Sequence, residues 1–175
     1  MTADPRPFPP DPPRALARLA CALVQPVLSR AVRRVAREHP GVFDRLGGHR
    51  RTDYVIDARE LPFALHLRPD PDALRLRAVP RAEAPRGGAM IRGRFLLLLK
   101  LVDSGGDGDA AFFSRDLEVT GDTEAVVRLR HALDDMDGSI AEETAALFGP
   151  PGLAVLARLR RRYADSDPQA GAVTP

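Results

Sequence analysis

The residue types that most often do chemistry are few in this chain and stand far apart. Its four histidines are His39, His49, His66 and His131, and none of them has a metal-binding spacing such as HExxH. His66 alternates with apolar residues and is predicted to be a half-exposed strand residue. The single cysteine, Cys21, lies on the apolar or border face of a predicted helix. Because no base can be placed beside it, Cys21 is predicted to be inert.

The acid- and glycine-rich run Asp103–Asp109 superficially suggests a calcium loop. An EF-hand would need an acid or amide at position 105 and Glu at position 114, where the chain has Gly105 and Ser114. Phosphate-cradling motifs of the GxxxxGK type are also missing from the sequence. The run is therefore predicted to be a flexible loop, and the sequence predicts no enzyme, no metal and no cofactor.

Composition limits the function classes further. The 175 residues suit one domain, 44% are hydrophobic and 29% charged, and the net charge of +2 argues against a dedicated nucleic-acid binder. A lone cysteine excludes an internal disulfide and fits a reducing compartment. The first residues do not resemble a signal peptide, and no apolar run approaches the ~20 residues that cross a bilayer. We expect a soluble, cytoplasmic protein, with peripheral contact to the inner face of the cytoplasmic membrane left open.

The N-terminal part is predicted to hold one long helix. Residues 1–13 contain six prolines and form a disordered tail, and a helix follows over Arg14–Glu38. Leu16, Leu19, Ala20 and Leu23 form one apolar face, and Pro26 should kink or split the helix. Its basic residues suit an anionic membrane surface, although a core-packing helix with a solvated arginine face is the favoured interpretation and both can hold. These membrane-surface candidates are Arg14, Arg18, Arg30, Arg33, Arg34 and Arg37.

The middle of the chain predicts an antiparallel sheet covered on one face by helices. His39–Arg51 is predicted to be a connector, Pro80–Gly88 a loop, and Phe95–Asp103 a buried helix. The five strands are predicted at Asp53–Arg59, Phe63–Arg68, Ala73–Val79, Ala89–Gly93 and Leu117–Gly121.

The other predicted elements are arranged around one segment, Phe112–Asp137, with the sequence FFSRDLEVTGDTEAVVRLRHALDDMD. After its strand, Asp122 is predicted to cap a helix whose apolar face carries Val126, Leu129, Leu133 and Met136. This completes a domain over residues 14–138. Two further helices are predicted within residues 139–164, as a C-terminal extension before a disordered tail at 165–175.

That segment, with the order of elements, resembles the sterol carrier protein type two (SCP-2-like) lipid-binding family, and more narrowly its bacterial UbiT group. The resemblance implies an α+β fold in which helices cover a five-stranded, mostly antiparallel sheet, with an apolar tunnel between them that holds a lipid. It implies no catalysis by this chain. It also implies that the chain binds prenylated ubiquinone precursors and presents them to UbiU and UbiV hydroxylase partners in oxygen-independent ubiquinone biosynthesis.

Phe112, Phe113, Leu117 and Val119 match apolar positions of the family segment, and Gly121–Glu124 match its helix cap. Two other functions stay open, namely a general phospholipid or sterol-type carrier and a protein-interaction module with a solid core, because periodicity does not distinguish a cavity from a packed core. The remaining lipid-binding candidates follow from the predicted faces: Leu65, Leu67, Ile91, Phe95, Leu98, Leu99, Val126, Leu129, Leu133 and Met136.

Overall fold

The helices and strands follow the hydrophobic periodicity of the sequence closely. The computed structural model describes residues 12–95, 97–98, 117–134 and 157–158. Two short 3₁₀ helices, Gly47–Arg51 and Arg81–Glu83, lie between the longer elements. The helices are α1 (Arg14–Glu38), α2 (Gly41–Leu46) and α3 (Thr123–Asp134), and the strands are β1 (Tyr54–Ala58), β2 (Ala64–Arg68), β3 (Arg75–Val79), β4 (Ala89–Gly93) and β5 (Leu117–Gly121).

The five strands form one sheet in the order β3-β2-β1-β4-β5. Three neighbouring pairs are antiparallel, as predicted, and β1 pairs with β4 in parallel. Strands β1, β3 and β4 all run in the same direction. The Pro80–Gly88 segment therefore returns the chain to the other end of the sheet before β4 begins.

One face of the sheet is apolar and the other is charged. On the apolar face, Ile56 lies opposite both Leu65 and Ile91, and Ile91 lies opposite Val119. The next residue of β1, Asp57, points to the other face because strand side chains alternate. Only the apolar face needs cover, which explains why α1 packs on β3 while α3 packs on β4 and β5.

Helix α1 has the predicted bounds but presents a different face to the sheet. Its buried residues are Ala17, Cys21, Leu28 and Ala31. The predicted apolar face is therefore wrong for the leucines, because small side chains let the helix approach β3 more closely. The helix also continues through Pro26 without a break. The leucines that face outward are Leu16, Leu19 and Leu23, with 58%, 58% and 73% of their surface exposed.

Gln25 fastens α1 to the edge strand β3. Its Nε2 donates to the Leu76 carbonyl oxygen at 2.9 Å, and its Oε1 accepts from the Ala78 backbone N–H at 3.1 Å. Nε2 also lies 3.1 Å from the Ser29 hydroxyl. The amide thus satisfies two backbone groups that an edge strand leaves unpaired, and this limits pairing with other chains.

The predicted connector His39–Arg51 is wrong from Gly41 onward, because this part consists of α2 and a 3₁₀ helix. Val42 and Leu46 lie one helical turn apart and are both buried. Gly47, with φ of 54°, ends α2 where a side chain would be strained. The spacing of Val42 and Leu46 is the sequence signal of this helix. The neighbouring proline and glycines instead favour a connector.

Phe95, Leu97 and Leu98 are helical, which agrees with the start of the predicted helix Phe95–Asp103. The rest of that helix, the Asp103–Asp109 loop, residues 1–11 of the N-terminal tail and the whole predicted tail at 165–175 lie outside the described residues. Of the predicted C-terminal extension, the structure describes Ala157 and Arg158, which are helical.

Helix α1 is, by length and composition, apolar enough to cross a membrane. A core helix of a soluble protein or a signal sequence satisfies the same criterion. Of its most apolar 18-residue stretch, 22% is buried in the structure. This observation describes how apolar the helix is and does not by itself identify a membrane span.

Candidate functional site

A continuous apolar layer lies between the sheet and the helices. Tyr54 and Ile91 supply its sheet side, while Leu46 of α2 and Leu129 of α3 supply its helix side. A second, smaller cluster lies under α1 and contains Cys21, Leu28, Phe63 and Ala78. Leu61 contacts both clusters and therefore links the two halves of the layer.

The lipid-binding candidates within the described residues all lie in this layer. Leu65 packs in the smaller cluster under α1. Four more candidates, Leu99, Phe112, Phe113 and Met136, lie outside the described residues, so an enclosed tunnel stays a prediction. The candidates that pack in the larger cluster are Leu67, Ile91, Phe95, Leu98, Leu117, Val119, Val126, Leu129 and Leu133.

A groove of about 490 Å³ opens beside the edge strand β5. Leu117 and Val119 line it from the strand, and Thr123, Glu124 and Val127 line it from α3. Val127 is 38% exposed although it is apolar. The volume lies within the range of about 300–1,000 Å³ that is typical of small-molecule sites. At this groove the apolar layer opens to solvent beside Leu117 and Val119.

Tyr54 places one polar group inside the apolar layer. Its side chain has no exposed surface, and its hydroxyl donates to the His49 carbonyl oxygen at 3.2 Å, with the Ala125 carbonyl oxygen 3.4 Å away. Burial, with a smaller contribution from the Asp122 carboxylate, raises the pKa of this phenol well above its ordinary value. The neutral hydroxyl therefore ties the 3₁₀ helix and α3 to the sheet.

The junction between β5 and α3 forms as the sequence predicts. Asp122 Oδ1 accepts from the Ala125 backbone N–H at 2.9 Å, which is an N-cap hydrogen bond. His49, for which the sequence predicts no function, places its Nδ1 3.2 Å from Asp122 Oδ2. This contact joins the 3₁₀ helix to the cap. No motif announces it, because residues 49 and 122 are distant in sequence.

The predicted membrane-surface arginines lie at different places on α1. Arg14 is exposed, and Arg18 pairs with Glu83 at 2.8 Å on the flank of the helix. The other four, Arg30, Arg33, Arg34 and Arg37, line a recess of about 800 Å³ together with Glu38.

The charged face of the sheet is stabilised by ion pairs. Asp57 is 2% exposed and accepts from Arg81 Nε at 2.7 Å and from Arg92 Nε at 3.1 Å. Arg81 also donates to the carbonyl oxygens of Ala58 and Leu61. These bonds hold the Pro80–Gly88 segment against β1, so the carboxylate stabilises the fold and is enclosed by its partners.

Reactive groups are poorly placed for catalysis in the described part of the chain. Burial raises the pKa of the Cys21 thiol, which disfavours the nucleophilic thiolate. His66 Nε2 lies 2.8 Å from Asp53 Oδ1 on the charged face of the sheet, away from the apolar layer. Within residues 12–95, 97–98, 117–134 and 157–158, no three His, Cys, Asp or Glu side chains gather in a metal-binding arrangement.

Comparisons with known proteins identify the family of this chain. No curated protein sequence matches the chain significantly. Among solved structures, the chain is similar to one described as "UbiJ-SCP2 Ubiquinone synthesis protein", with 19% identity, a TM-score of 0.46, and coverage of 67% of this chain and 90% of that one. The sequence profile of the SCP-2 sterol transfer family matches residues 32–134, which is more than half of the chain. This chain therefore belongs to the SCP-2 sterol transfer family.

Proposed function

We propose that this protein is a lipid-binding accessory factor that holds prenylated ubiquinone precursors and presents them to hydroxylase partners of the UbiU and UbiV type. The observation that carries the lipid-binding part is the apolar layer with its groove beside β5. Family membership supports the same part. The ubiquinone part is supported by the resemblance of Phe112–Asp137 to the UbiT group. In this role the protein acts as a carrier and catalyses no step itself.

The free energies of prenyl burial and of association suit a carrier that must also release its ligand. Burying roughly 400 Å² of prenyl surface at about 25 cal/mol per Å² contributes on the order of 10 kcal/mol. Association costs of about 4–15 kcal/mol offset much of this gain. The net affinity is moderate, and no charged side chain is needed to retain the prenyl chain.

The identity of the bound lipid tests the proposal. The protein is purified from its native host without detergent, and its lipid extract is analysed by mass spectrometry. We expect prenylated aromatic compounds in the extract. Phospholipid alone would favour a general carrier of the phospholipid or sterol type, and an extract without lipid would favour a protein-interaction module with a solid core.

A pair of neighbouring substitutions locates the site. Val119→Asn places an amide in the groove, whereas Thr120→Asn changes the next residue, which is exposed on the opposite face of β5. We expect Val119→Asn to lower lipid retention at least tenfold, since it buries an amide against the prenyl chain. Thr120→Asn should retain lipid like the unmodified protein. Equal retention by both variants would remove the groove from the proposed site.

A further inference from the structure

The two edges of the sheet differ in how their outward backbone groups are satisfied. At one edge, the Gln25 side chain bonds the Leu76 carbonyl oxygen and the Ala78 N–H of β3. At the other edge, no strand or side chain among the described residues bonds the outward groups of β5. Strand β5 also lacks the proline and the inward-pointing charge that prevent many edge strands from pairing. It is therefore an open edge.

The hydrogen bonds of β4 show which backbone groups of β5 point outward. The Ala89 N–H donates to the Asp53 carbonyl oxygen at 2.9 Å, so the backbone of Ala89 faces β1. Its partner in β5 is Gly121, whose backbone must then face away from β4. This orientation alternates along an antiparallel pair. The residues whose N–H and C=O groups point away from the sheet are therefore Leu117, Val119 and Gly121.

The sequence of β5 is complementary to itself in one register. Two antiparallel copies that keep their apolar faces on the same side can have a two-fold axis at Glu118, Val119 or Thr120. An axis at Glu118 places two carboxylates directly opposite each other, which is destabilising. An axis at Thr120 leaves Leu117 and Glu118 without partners. An axis at Val119 pairs all five residues of the strand, with Glu118 opposite the neutral Thr120.

We propose that the chain forms a homodimer in which β5 pairs antiparallel with β5 of a second copy, about a two-fold axis at Val119. The Val119 N–H of each copy donates to the Val119 carbonyl oxygen of the other, and Leu117 and Gly121 exchange the equivalent bonds. The sheet thereby continues through both copies, which is recognition by strand addition. A two-fold contact of this kind closes after two chains and leaves no further copy of this edge open.

The pairing also covers the exposed apolar side of β5. Leu117 and Val119 line the groove together with the exposed Val127 of α3. In the dimer the same side chains of the second copy lie across the axis, so each groove gains an apolar wall. A pair of short strands buries less surface than a standard interface of about 1,600 Å², so the dimer dissociates on dilution. This inference goes beyond lipid binding and does not depend on it.

Sedimentation equilibrium of the full chain, from low micromolar to half-millimolar concentration, tests the dimer. We expect a reversible equilibrium between monomer and dimer, with a dissociation constant in the micromolar range. A monomer at every concentration would overturn the proposal. The measurement involves no lipid. A monomer would therefore leave the proposed carrier function standing, and a lipid extract without prenylated compounds would leave the dimer standing.

Val119→Pro tests the backbone pairing. The substitution removes the N–H at the two-fold axis but no hydrogen bond within the sheet, because that N–H points outward, where proline is tolerated on an edge strand. We expect it to weaken the dimer at least tenfold, while circular dichroism shows an unchanged fold. A folded variant that dimerises like the unmodified protein would place the interface elsewhere.

A pair of substitutions at the exposed Thr120 tests the same interface without altering the backbone. Thr120→Glu places a second carboxylate opposite Glu118 of the other copy, whereas Thr120→Lys places an ammonium group there. Each contact occurs twice in the dimer because of the two-fold axis. We expect roughly fivefold weaker dimerisation with Glu and roughly fivefold tighter dimerisation with Lys. Shifts in the same direction, or no shift, would contradict the pairing of these residues.

Cross-linking tests the register. Both variants carry Cys21→Ser, which removes the single native cysteine. Val119→Cys places two thiols opposite each other, with Cα atoms about 5.5 Å apart. Leu117→Cys is the matched control on the same face, and its Cα lies about 14 Å from that of its copy. With a bismaleimide too short for the larger distance, we expect dimers from Val119→Cys only. Equal cross-linking of both variants, or the reverse preference, would overturn the register.

Discussion

The buried carboxylate of Asp57 has partners that connect distant segments of the chain. Asp57 joins β1 to Arg81 of the returning loop and to Arg92 of β4. The sequence pattern places Asp57 in a strand without predicting a function for it, since both partners come from other segments. A buried acid in a strand signals that partners must exist but does not identify them.

We expect Asp57→Ala to lower the free energy of unfolding by about 3 kcal/mol, because it removes the buried carboxylate that pairs with Arg81 and Arg92. Chemical denaturation measures the change. The control is Glu118→Ala, which removes the exposed partner of Arg92 at 3.9 Å. That change should cost less than about 1 kcal/mol. Similar losses in both variants would show that the buried pair stabilises no more than a surface pair.

The raised pKa of the buried Tyr54 hydroxyl leads us to expect a loss of stability at alkaline pH. Its pKa is raised in the folded protein, so above the ordinary phenol pKa of about 10 the unfolded chain releases a proton that the folded chain retains. The free energy of unfolding therefore falls as pH rises above this value, by up to about 1.4 kcal/mol per pH unit.

Tyr54→Phe should remove that alkaline loss and cost about 1 kcal/mol at neutral pH, where the hydroxyl hydrogen bond is missing. Urea denaturation at pH 7, 10 and 11 measures both effects. The other tyrosine, Tyr163, and the only lysine are present in both proteins, so their titration cancels. Parallel pH profiles for the two proteins would contradict the raised pKa.

At the scale of elements, the β5–α3 junction requires glycine at a single backbone position. Gly121 has φ of 80°, and a Cβ there would fall on the Gly88 carbonyl oxygen. Gly121→Ala should therefore lower the free energy of unfolding by more than about 2 kcal/mol. Gly41→Ala is the control, because nothing lies within 4 Å of a Cβ at that helical position. Thermal denaturation compares them, and equal melting temperatures would show that the junction tolerates a side chain.

The elements themselves follow from sequence more reliably than their orientation does. All five strands, α1 and α3 lie where periodicity places them, because periods of 2 and 3.6 residues directly encode one buried face. The orientation of α1 does not follow, since hydrophobicity gives leucine more weight than alanine. Packing against β3 instead selects the small residues Ala17 and Cys21. Helix α2 does not follow from the sequence, because Pro40 and the two glycines after Leu46 are typical of a connector.

The sequence period also predicts which residues of the candidate site face the layer between the sheet and the helices. It does not predict how far apart the sheet and the helices lie. Leu67, Ile91 and Val119 occupy the sheet face that alternation assigns to them. Whether a face packs solidly or lines a cavity depends on the separation of helices and sheet. That distance comes from contacts such as Gln25 to β3, which link residues distant in sequence.

For the whole molecule, the layered fold separates two apolar surfaces. The inner layer lies between the sheet and the helices and opens beside β5. The exposed leucines of α1, Leu16, Leu19 and Leu23, face outward at the other edge, over β3. We propose that the inner layer holds the prenyl chain. The charged sheet face belongs to neither surface and stabilises the fold.

The most direct test of the lipid-carrier function is an equilibrium titration of the delipidated protein with a prenylated phenol, followed by calorimetry at several temperatures. We expect saturable binding of one ligand per chain, with a negative heat-capacity change from apolar burial. Binding by Val119→Asn should be at least tenfold weaker than binding by Thr120→Asn. Absence of saturable binding by a folded, delipidated chain would contradict an open apolar site between the sheet and the helices.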